Sequence, residues 1–314
     1  MSKSESPVLK QVALIAGPTA SGKSDLAVTL ALALEKSGRR AVVINADSAQ
    51  VYADLQILSA RPSSEEMRGV PHRLFGAWDG AQACSAADWA AAAKREIEEA
   101  HAAGAVPILV GGTGLYIRTL LDGIAPVPPI DPAIREEVRA MDAEDLYAAV
   151  QREDAEAAQT LNANDTQRLS RALEVVRSSG KPLREWQRQK TGGIGDAIAL
   201  APLVLLPDRE WLYKRCDRRF ALMMENGAVE EVERLLTRDL SEDLPVMRAI
   251  GVPQIAEYLR GSLSQEEAIA RGQQVTRNYA KRQYTWLRHQ PPEDWPRLAP
   301  DNVQLRTVFE TIFS

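Results

Sequence analysis

One run constrains this chain more than any other: Gly17-Pro18-Thr19-Ala20-Ser21-Gly22-Lys23-Ser24. It has the form G-x-x-x-x-G-K-[ST]. Before it stands Val12-Ala13-Leu14-Ile15-Ala16, apolar and of strand length. After it Leu26, Leu30 and Leu34 recur at i, i+4 and i+8, and Ser37-Gly38 closes the helix. Strand, glycine-rich loop and helix form the context in which this pattern captures an anion. Successive backbone N–H groups turn toward one point, the helix N-terminus adds partial positive charge, and Lys23 adds a full one. Gly17, Thr19, Ala20, Ser21, Gly22, Lys23 and Ser24 are therefore the candidate phosphate cradle. The Ser24 hydroxyl is the candidate metal ligand, for a Mg²⁺ that bridges phosphate oxygens. A chain built on this loop binds a phosphorylated ligand, whose nature the loop leaves open.

The flanking sequence says what the loop is set in. Ala41–Ala46 reads as a second strand and delivers Asp47-Ser48 to its C-terminal end, the edge where open parallel sheets bind ligands. Residues 52–83 read as irregular, punctuated by Pro62, Gly69, Pro71, Gly76 and Gly80. Ser85-x-x-Asp88 is a capping box opening a helix through Ala103, with Trp89, Ala93 and Ile97 on one face. Val106–Val110 is a third strand, entering Gly111-Gly112-Thr113-Gly114 and a helix from Leu115. Alternating strands and helices predict a parallel sheet covered on both faces.

That pattern breaks at Pro126, Pro128, Pro129 and Pro132. From there to about Lys190 the signals are helical, including N-caps at Asp131 and Asp165, and Gly192, Gly193 and Gly195 form a flexible exit. Ile198–Leu206 reads as a further buried strand, and Asp208–His289 as helical again. The expected fold class is α/β: a P-loop parallel sheet flanked by helices, with a helical insertion domain and a helical C-terminal region. The expected bounds are 10–125 and 197–290 for the core, 126–196 for the insertion, and 1–9 and 291–314 as peripheral tails.

Composition narrows the partners. A net charge of −5 over 314 residues excludes a wholly basic nucleic-acid coat protein, but local segregation of charge remains open. Cys84 and Cys216 are far apart and match no metal spacing, which suits free thiols in a reducing compartment. Met1–Leu9 lacks the apolar stretch of a signal peptide, and no apolar run reaches the ~20 residues of a membrane span. A cytoplasmic chain without membrane contact is expected. His72, His101 and His289 share no ligand spacing and are read as structural.

Asp47, at a strand end beside the P-loop strand, has two chemical readings: a metal-holding carboxylate of an NTPase, or a base aimed at an acceptor. An NTP hydrolase usually carries an acid after the strand that here ends at Val110. Instead there are glycines and the hydroxyl of Thr113, which suits close approach of a ligand or backbone. Toward the C-terminus no acid lies between Glu267 and Glu293, while Arg271, Arg277, Lys281, Arg282 and Arg288 do. Arg277, Lys281, Tyr284 and Arg288 fall on one helical stripe, with Tyr279 and Trp286 interleaved. In an acidic chain this reads as a phosphate-backbone contact with base stacking, or as a solvated basic face. Arg168 and Arg171 form a second basic pair one turn apart. On these residues alone a small-molecule kinase, an RNA-binding NTPase and a transferase acting on RNA all stay open.

Six ordered blocks carry a resemblance: Gly17–Ser24, Asp47-Ser48 with Val51-Tyr52, Pro71-His72-Arg73, Gly111–Tyr116, Gln167–Arg171 and Lys281–Arg288. Together, from about residue 12 to 290, they resemble the bacterial tRNA dimethylallyltransferases. The resemblance implies transfer of a dimethylallyl group from its diphosphate to N6 of the adenosine 3′ of the tRNA anticodon, with Mg²⁺. It implies Asp47, Thr113 and Arg219 as catalytic residues and the Gly17–Ser24 loop as the diphosphate site. For tRNA it implies Asp47, Ser48, Ala49 and Gln50, then Gln167, Arg168, Leu169, Ser170 and Arg171 on the insertion. It adds Arg248 and, on the last long helix, Lys281, Arg282, Gln283, Trp286 and Arg288. The expected partners are the anticodon stem-loop and dimethylallyl diphosphate, with the chain acting as a monomer. Val252-Pro253 stands after Arg248 where the family often has an arginine.

Overall fold

The structure is a computed structural model and describes residues 9–314. The chain divides into two compact units, one of residues up to Leu120 together with Ile194–Ser314, the other Leu121–Gly193.

The first unit starts with β1 (Lys10–Ala16), α1 (Lys23–Lys36) and β2 (Arg40–Asn45). α2 (Ser64–Met67), β3 (His72–Arg73), α3 (Ala86–Ala102), β4 (Ala105–Gly111) and α4 (Gly114–Asp122) follow. The second unit is helical. A short ribbon of β5 (Gly123–Ile124) and β6 (Thr191–Gly192) pairs its ends antiparallel. Between them lie α5 (Pro132–Ala140), α6 (Ala143–Glu153), α7 (Ala155–Thr160), α8 (Thr166–Ser179) and α9 (Leu183–Gln187). The chain re-enters the first unit at β7 (Ile198–Leu205) and continues through α10 (Arg209–Glu225), α11 (Ala228–Leu236), α12 (Val252–Leu259) and α13 (Gln265–His289). It ends in β8 (Arg297–Leu298), α14 (Leu305–Val308) and α15 (Glu310–Phe313).

The six-stranded sheet runs β3-β2-β4-β1-β7-β8, every neighbouring pair parallel. β1 is central, and its residues 12–16 are fully buried. Strands covered on both faces read as continuous apolar runs, which is why the sequence shows no alternation there. Ala13 and Ile15, with Val43, Ile108 and Leu203, pack beneath Ala27, Leu30 and Leu34 of α1. α3 covers the opposite face, where the fully buried Trp89 donates its indole N–H to the Asn45 carbonyl at 2.8 Å. Register aligns Ala16 with Gly111 and with Val204, and Asn45 with Val110. The loops after β1, β2 and β4 therefore leave the sheet at one edge. Strand order reverses direction at β1, so the crevice opens over the P-loop.

Three expectations need correcting. Residues 52–83 are not irregular throughout, since they hold α2, capped by the Ser63/Glu66 box, and the edge strand β3. A two-residue strand is too short to show a period. Residues 291–314 are not a peripheral tail: β8 pairs with β7, and Phe309 and Ile312 are fully buried against the α1 face of the sheet. These two apolar side chains join the core under α1, a contact between distant parts of the chain that no local pattern records. Gly192 is not part of a loose exit but pairs with Gly123. Of the expected leading tail, residues 1–8 lie outside the described residues.

In the helical unit Val138, Leu146, Val150, Leu169 and Leu173 make a separate core. Four consecutive helices begin with aspartates, Asp131, Asp142, Asp154 and Asp165, each accepting from an N–H of the first turn. Such caps are worth ~1 kcal/mol each. Among the described residues no helix is long and apolar enough to cross a membrane.

Candidate active site

The P-loop turns through Ala20 (φ 63°) and Gly22 (φ 86°) before α1 begins at Lys23. Lys23 is buried, and its ammonium donates to the Pro18 carbonyl at 3.3 Å. Burial pushes its pKa below the ordinary lysine value, with Arg219 acting in the same sense and the Asp47 charge opposing both. An ammonium so placed gains most from an arriving anion. α10 supports the loop from one side: the Arg215 Nε–H donates to the Ala20 carbonyl at 3.0 Å, and Arg219 donates to the Thr19 hydroxyl. α13 supports it from another. The Gln283 amide accepts from the Thr19 N–H at 2.8 Å and donates to the Gly112 carbonyl at 3.0 Å, tying the P-loop to the glycine turn after β4. A cavity of about 410 Å³ lies over the loop, lined by Lys23, Ser24, Asp47, Arg215, Arg218 and Arg219 among others.

A second cavity, of about 310 Å³, shares Thr19, Asp47 and Arg219 with the first. Its further walls divide by chemistry. Leu55, Leu58, Phe220 and Met223 are apolar, whereas Ser48, Arg248, Tyr279 and Arg282 are polar. Asp47 is buried at the junction. One carboxylate oxygen accepts from the Ala49 N–H at 3.0 Å, and the other accepts no protein hydrogen bond among the described residues. The Thr113 hydroxyl accepts from the Ser48 N–H at 2.9 Å and donates to the Ser48 hydroxyl at 3.2 Å. It thus fixes the backbone next to Asp47. The Tyr279 hydroxyl lies near Thr113 and Ser48, and burial above all, then the Asp47 charge, pushes its pKa up, so it stays a neutral phenol.

The glycine turn achieves close approach of protein rather than ligand. A Cβ on Gly112 would lie 2.5 Å from the Gly17 carbonyl oxygen, and one on Gly114 would enter the Trp286 ring. Arg215 and Arg218 were not among the expected site residues, and Tyr279, expected only as an aromatic interleaved in the basic face, lines the cavity beside Asp47. A signal was present for that placement: Tyr279, Gln283 and Trp286 fall at i, i+4 and i+7, a second stripe of α13 beside the basic one.

The proposed nucleic-acid contacts divide. Lys281 and Arg288 are exposed on α13, and Arg282 lies over the Tyr279 ring at 5.7 Å on the cavity wall. The rest of the basic stripe turns inward: Arg277 pairs with Asp217, while Tyr284 packs against Ala20 and Cys216 with Arg209 over its ring at 4.9 Å. Gln283 is buried with both ends of its amide used, so it cannot reach an RNA. Trp286 is half-buried between Gly114 and the Arg118 guanidinium. Gln50 is also buried, donating to the carbonyls of Ser59 and Ala60. Ser48 and Ala49 are half-buried. Arg248 lines the second cavity and is held by the Asp243 carbonyl. In the helical unit Leu169 is fully buried in the core, because it shares a face with Leu173. Gln167 is exposed and Ser170 half-buried, and Arg168 and Arg171 are largely exposed beside Asp165 and Glu174. The histidines keep out of both cavities: His72 Nδ1 lies 2.8 Å from the Val70 carbonyl and His101 Nε2 2.9 Å from that of Gln11.

The Ser24 hydroxyl opens onto the same cavity as the Asp47 carboxylate, with no imidazole or thiolate there. Hard oxygen donors in small number suit Mg²⁺, which takes one or two protein oxygens and completes its shell with phosphate and water.

A family model described as IPP transferase matches residues 50–290. The chain belongs to the IPP transferase family. Among similar members of the IPP transferase family is the tRNA dimethylallyltransferase of Erythrobacter litoralis, 67% identical and spanning 96% of this chain and 95% of that protein. The full-length tRNA isopentenylpyrophosphate transferase of Bacillus halodurans superposes with a TM-score of 0.67 at 32% identity, covering 97% and 94% of the two chains. A eukaryotic dimethylallyltransferase acting on tRNA has a TM-score of 0.73 at 28% identity, covering 88% of this chain and 70% of that one.

Proposed function

We propose that this prenyltransferase moves a dimethylallyl group from dimethylallyl diphosphate to N6 of the adenosine immediately 3′ of a tRNA anticodon, releasing diphosphate. The observation that carries the reading is the pair of joined cavities, a cationic P-loop cavity and a partly apolar one meeting at Thr19, Asp47 and Arg219. A hydrolase needs only the first, and the apolar wall of the second, Leu55, Leu58, Phe220 and Met223, suits a hydrocarbon chain attached to the diphosphate.

The diphosphate lies in the loop, where Lys23, Arg219 and the α1 N-terminus match the charge that grows on the leaving oxygen. The N6 lone pair forms a bond to C1 as the C1–O bond breaks, and that bonding pair departs with diphosphate. N6 is a weak nucleophile because its lone pair is shared with the ring. Asp47, through its uncommitted oxygen, orients the amine and takes its proton. Thr113 holds Ser48 and so the Asp47 backbone. Ser24 would hold Mg²⁺, which when bound adds positive charge beside the diphosphate. The adenine must leave the anticodon stack to reach the cavity. Arg248, Lys281, Arg282 and Arg288 in the first unit, and Arg168 and Arg171 in the helical unit, engage the RNA by charge.

The test offers unmodified tRNA two labels, on the prenyl group of the donor in one tube and on the γ-phosphate of ATP in another. Label entering tRNA from the prenyl donor alone, and not entering a tRNA with guanosine at that position, is the expected result. Turnover of ATP without prenyl transfer overturns the proposal.

A further inference from the structure

Residues 51–61 form an irregular segment that contributes to both cavities: Leu55 and Leu58 line the apolar wall of the 310 Å³ cavity, and Ala60 the other. Beyond the single bridge of Tyr52 to Trp78 this segment has no ladder to hold its backbone, so its later N–H groups must find partners elsewhere. Three of them converge on one carboxylate from α11. The Gln56 and Ile57 N–H groups donate to Glu231 Oε1 at 2.7 and 2.8 Å, and the Leu58 N–H donates to Oε2 at 2.9 Å. Glu231 is 3% exposed. Burying a charge this deeply is costly unless it is fully hydrogen-bonded, and three amides with the nearby Arg61 guanidinium meet that demand. Behind the wall the packing is tight. A Cβ on Gly251 would stand 2.7 Å from Leu58 Cδ2 and 3.1 Å from Phe220, so Leu58 cannot retreat while its backbone is held.

We infer that Glu231 is a positioning residue that sets the depth of the Leu55–Leu58 wall and thereby limits the prenyl donor to one isoprene unit. The inference rests on the prenyl-transfer reading above. An apolar pocket alone favours the longer tail, because every added methylene gains from leaving water. A rigid wall is what reverses that preference.

Glu231→Gln tests this at one atom. Gln keeps an oxygen for Gln56 and Ile57 but sets an amide N–H₂ against the Leu58 N–H, freeing Leu58 selectively. Leu58→Ala opens the same wall from the side-chain end and serves if Glu231→Gln folds poorly. Titration of each protein with dimethylallyl diphosphate and with geranyl diphosphate, without tRNA, gives the ratio of the two affinities. Transfer assays give the ratio of kcat/KM. In both variants each ratio is expected to fall toward the longer donor by about tenfold or more, with tRNA affinity unchanged. If both donors weaken in equal proportion, Glu231 only holds the fold and the inference is overturned. A wild-type protein that binds the donors with the expected preference but transfers neither refutes the reaction and leaves the wall standing.

Discussion

Replacing Asp47 by Asn removes one chemical property and little else. Asn keeps the side-chain oxygen that accepts from the Ala49 N–H at 3.0 Å, and the Asp47 N–H still donates to the Asn45 side chain at 2.9 Å. Shape, burial and the path of the backbone are therefore preserved, and what is lost is the anionic oxygen proposed to take the N6 proton. General-base removal costs about 10²–10⁴ in rate, or roughly 2.7–5.4 kcal/mol at 1.36 kcal/mol per tenfold. The variant is expected to lose that much in a rapid-quench single-turnover assay with saturating tRNA and labelled dimethylallyl diphosphate. Its tRNA affinity, read by filter binding, is expected to stay at the wild-type value. A second effect follows, because Asp47 holds up the Lys23 pKa. In Asp47→Asn, donor binding should weaken at a lower pH than in wild type. A single-turnover rate equal to wild type would remove Asp47 from proton transfer and refute the reasoning.

Three further outcomes follow from the geometry. Burial lowers the Lys23 pKa and only its protonated form attracts diphosphate, so affinity for the donor should fall as pH rises, starting below the range where an ordinary lysine loses its charge; titration against pH checks this, and a profile flat through that range refutes it. Lys281→Ala should weaken tRNA binding and reduce the slope of log K against log salt by about one, which a salt series measures. Gln283→Ala strips the Thr19 N–H and Gly112 carbonyl of a buried partner, at about 1–3 kcal/mol for each group left unsatisfied. Urea unfolding should show that loss together with a raised KM for the donor, and an unchanged KM would mean that α13 does not shape the loop.

What the chain determines by local sequence is what short-range physics controls. The P-loop, the strands on either side of it, the Ser85 capping box and the helix starts at Asp131 and Asp165 all depend on groups a few residues apart, and each could be read before folding. Asp47 was legible for the same reason, as an acid delivered by a strand end. Which face of α13 is left open to solvent was not legible in the same way. Arg277 and Tyr284 belong to the basic stripe by spacing, but α10 covers them, and Gln283 sits in a run of cations while bracing two loops that precede it by more than a hundred residues. Phe309 and Ile312 look like a terminus and fill the sheet. Glu231 reads as one more acid on an amphipathic helix, and its partners are backbone amides some 175 residues earlier. A periodic pattern records which residues share a face; only the tertiary structure decides what that face is packed against, because burial and hydrogen bonding belong to pairs of elements and not to either one.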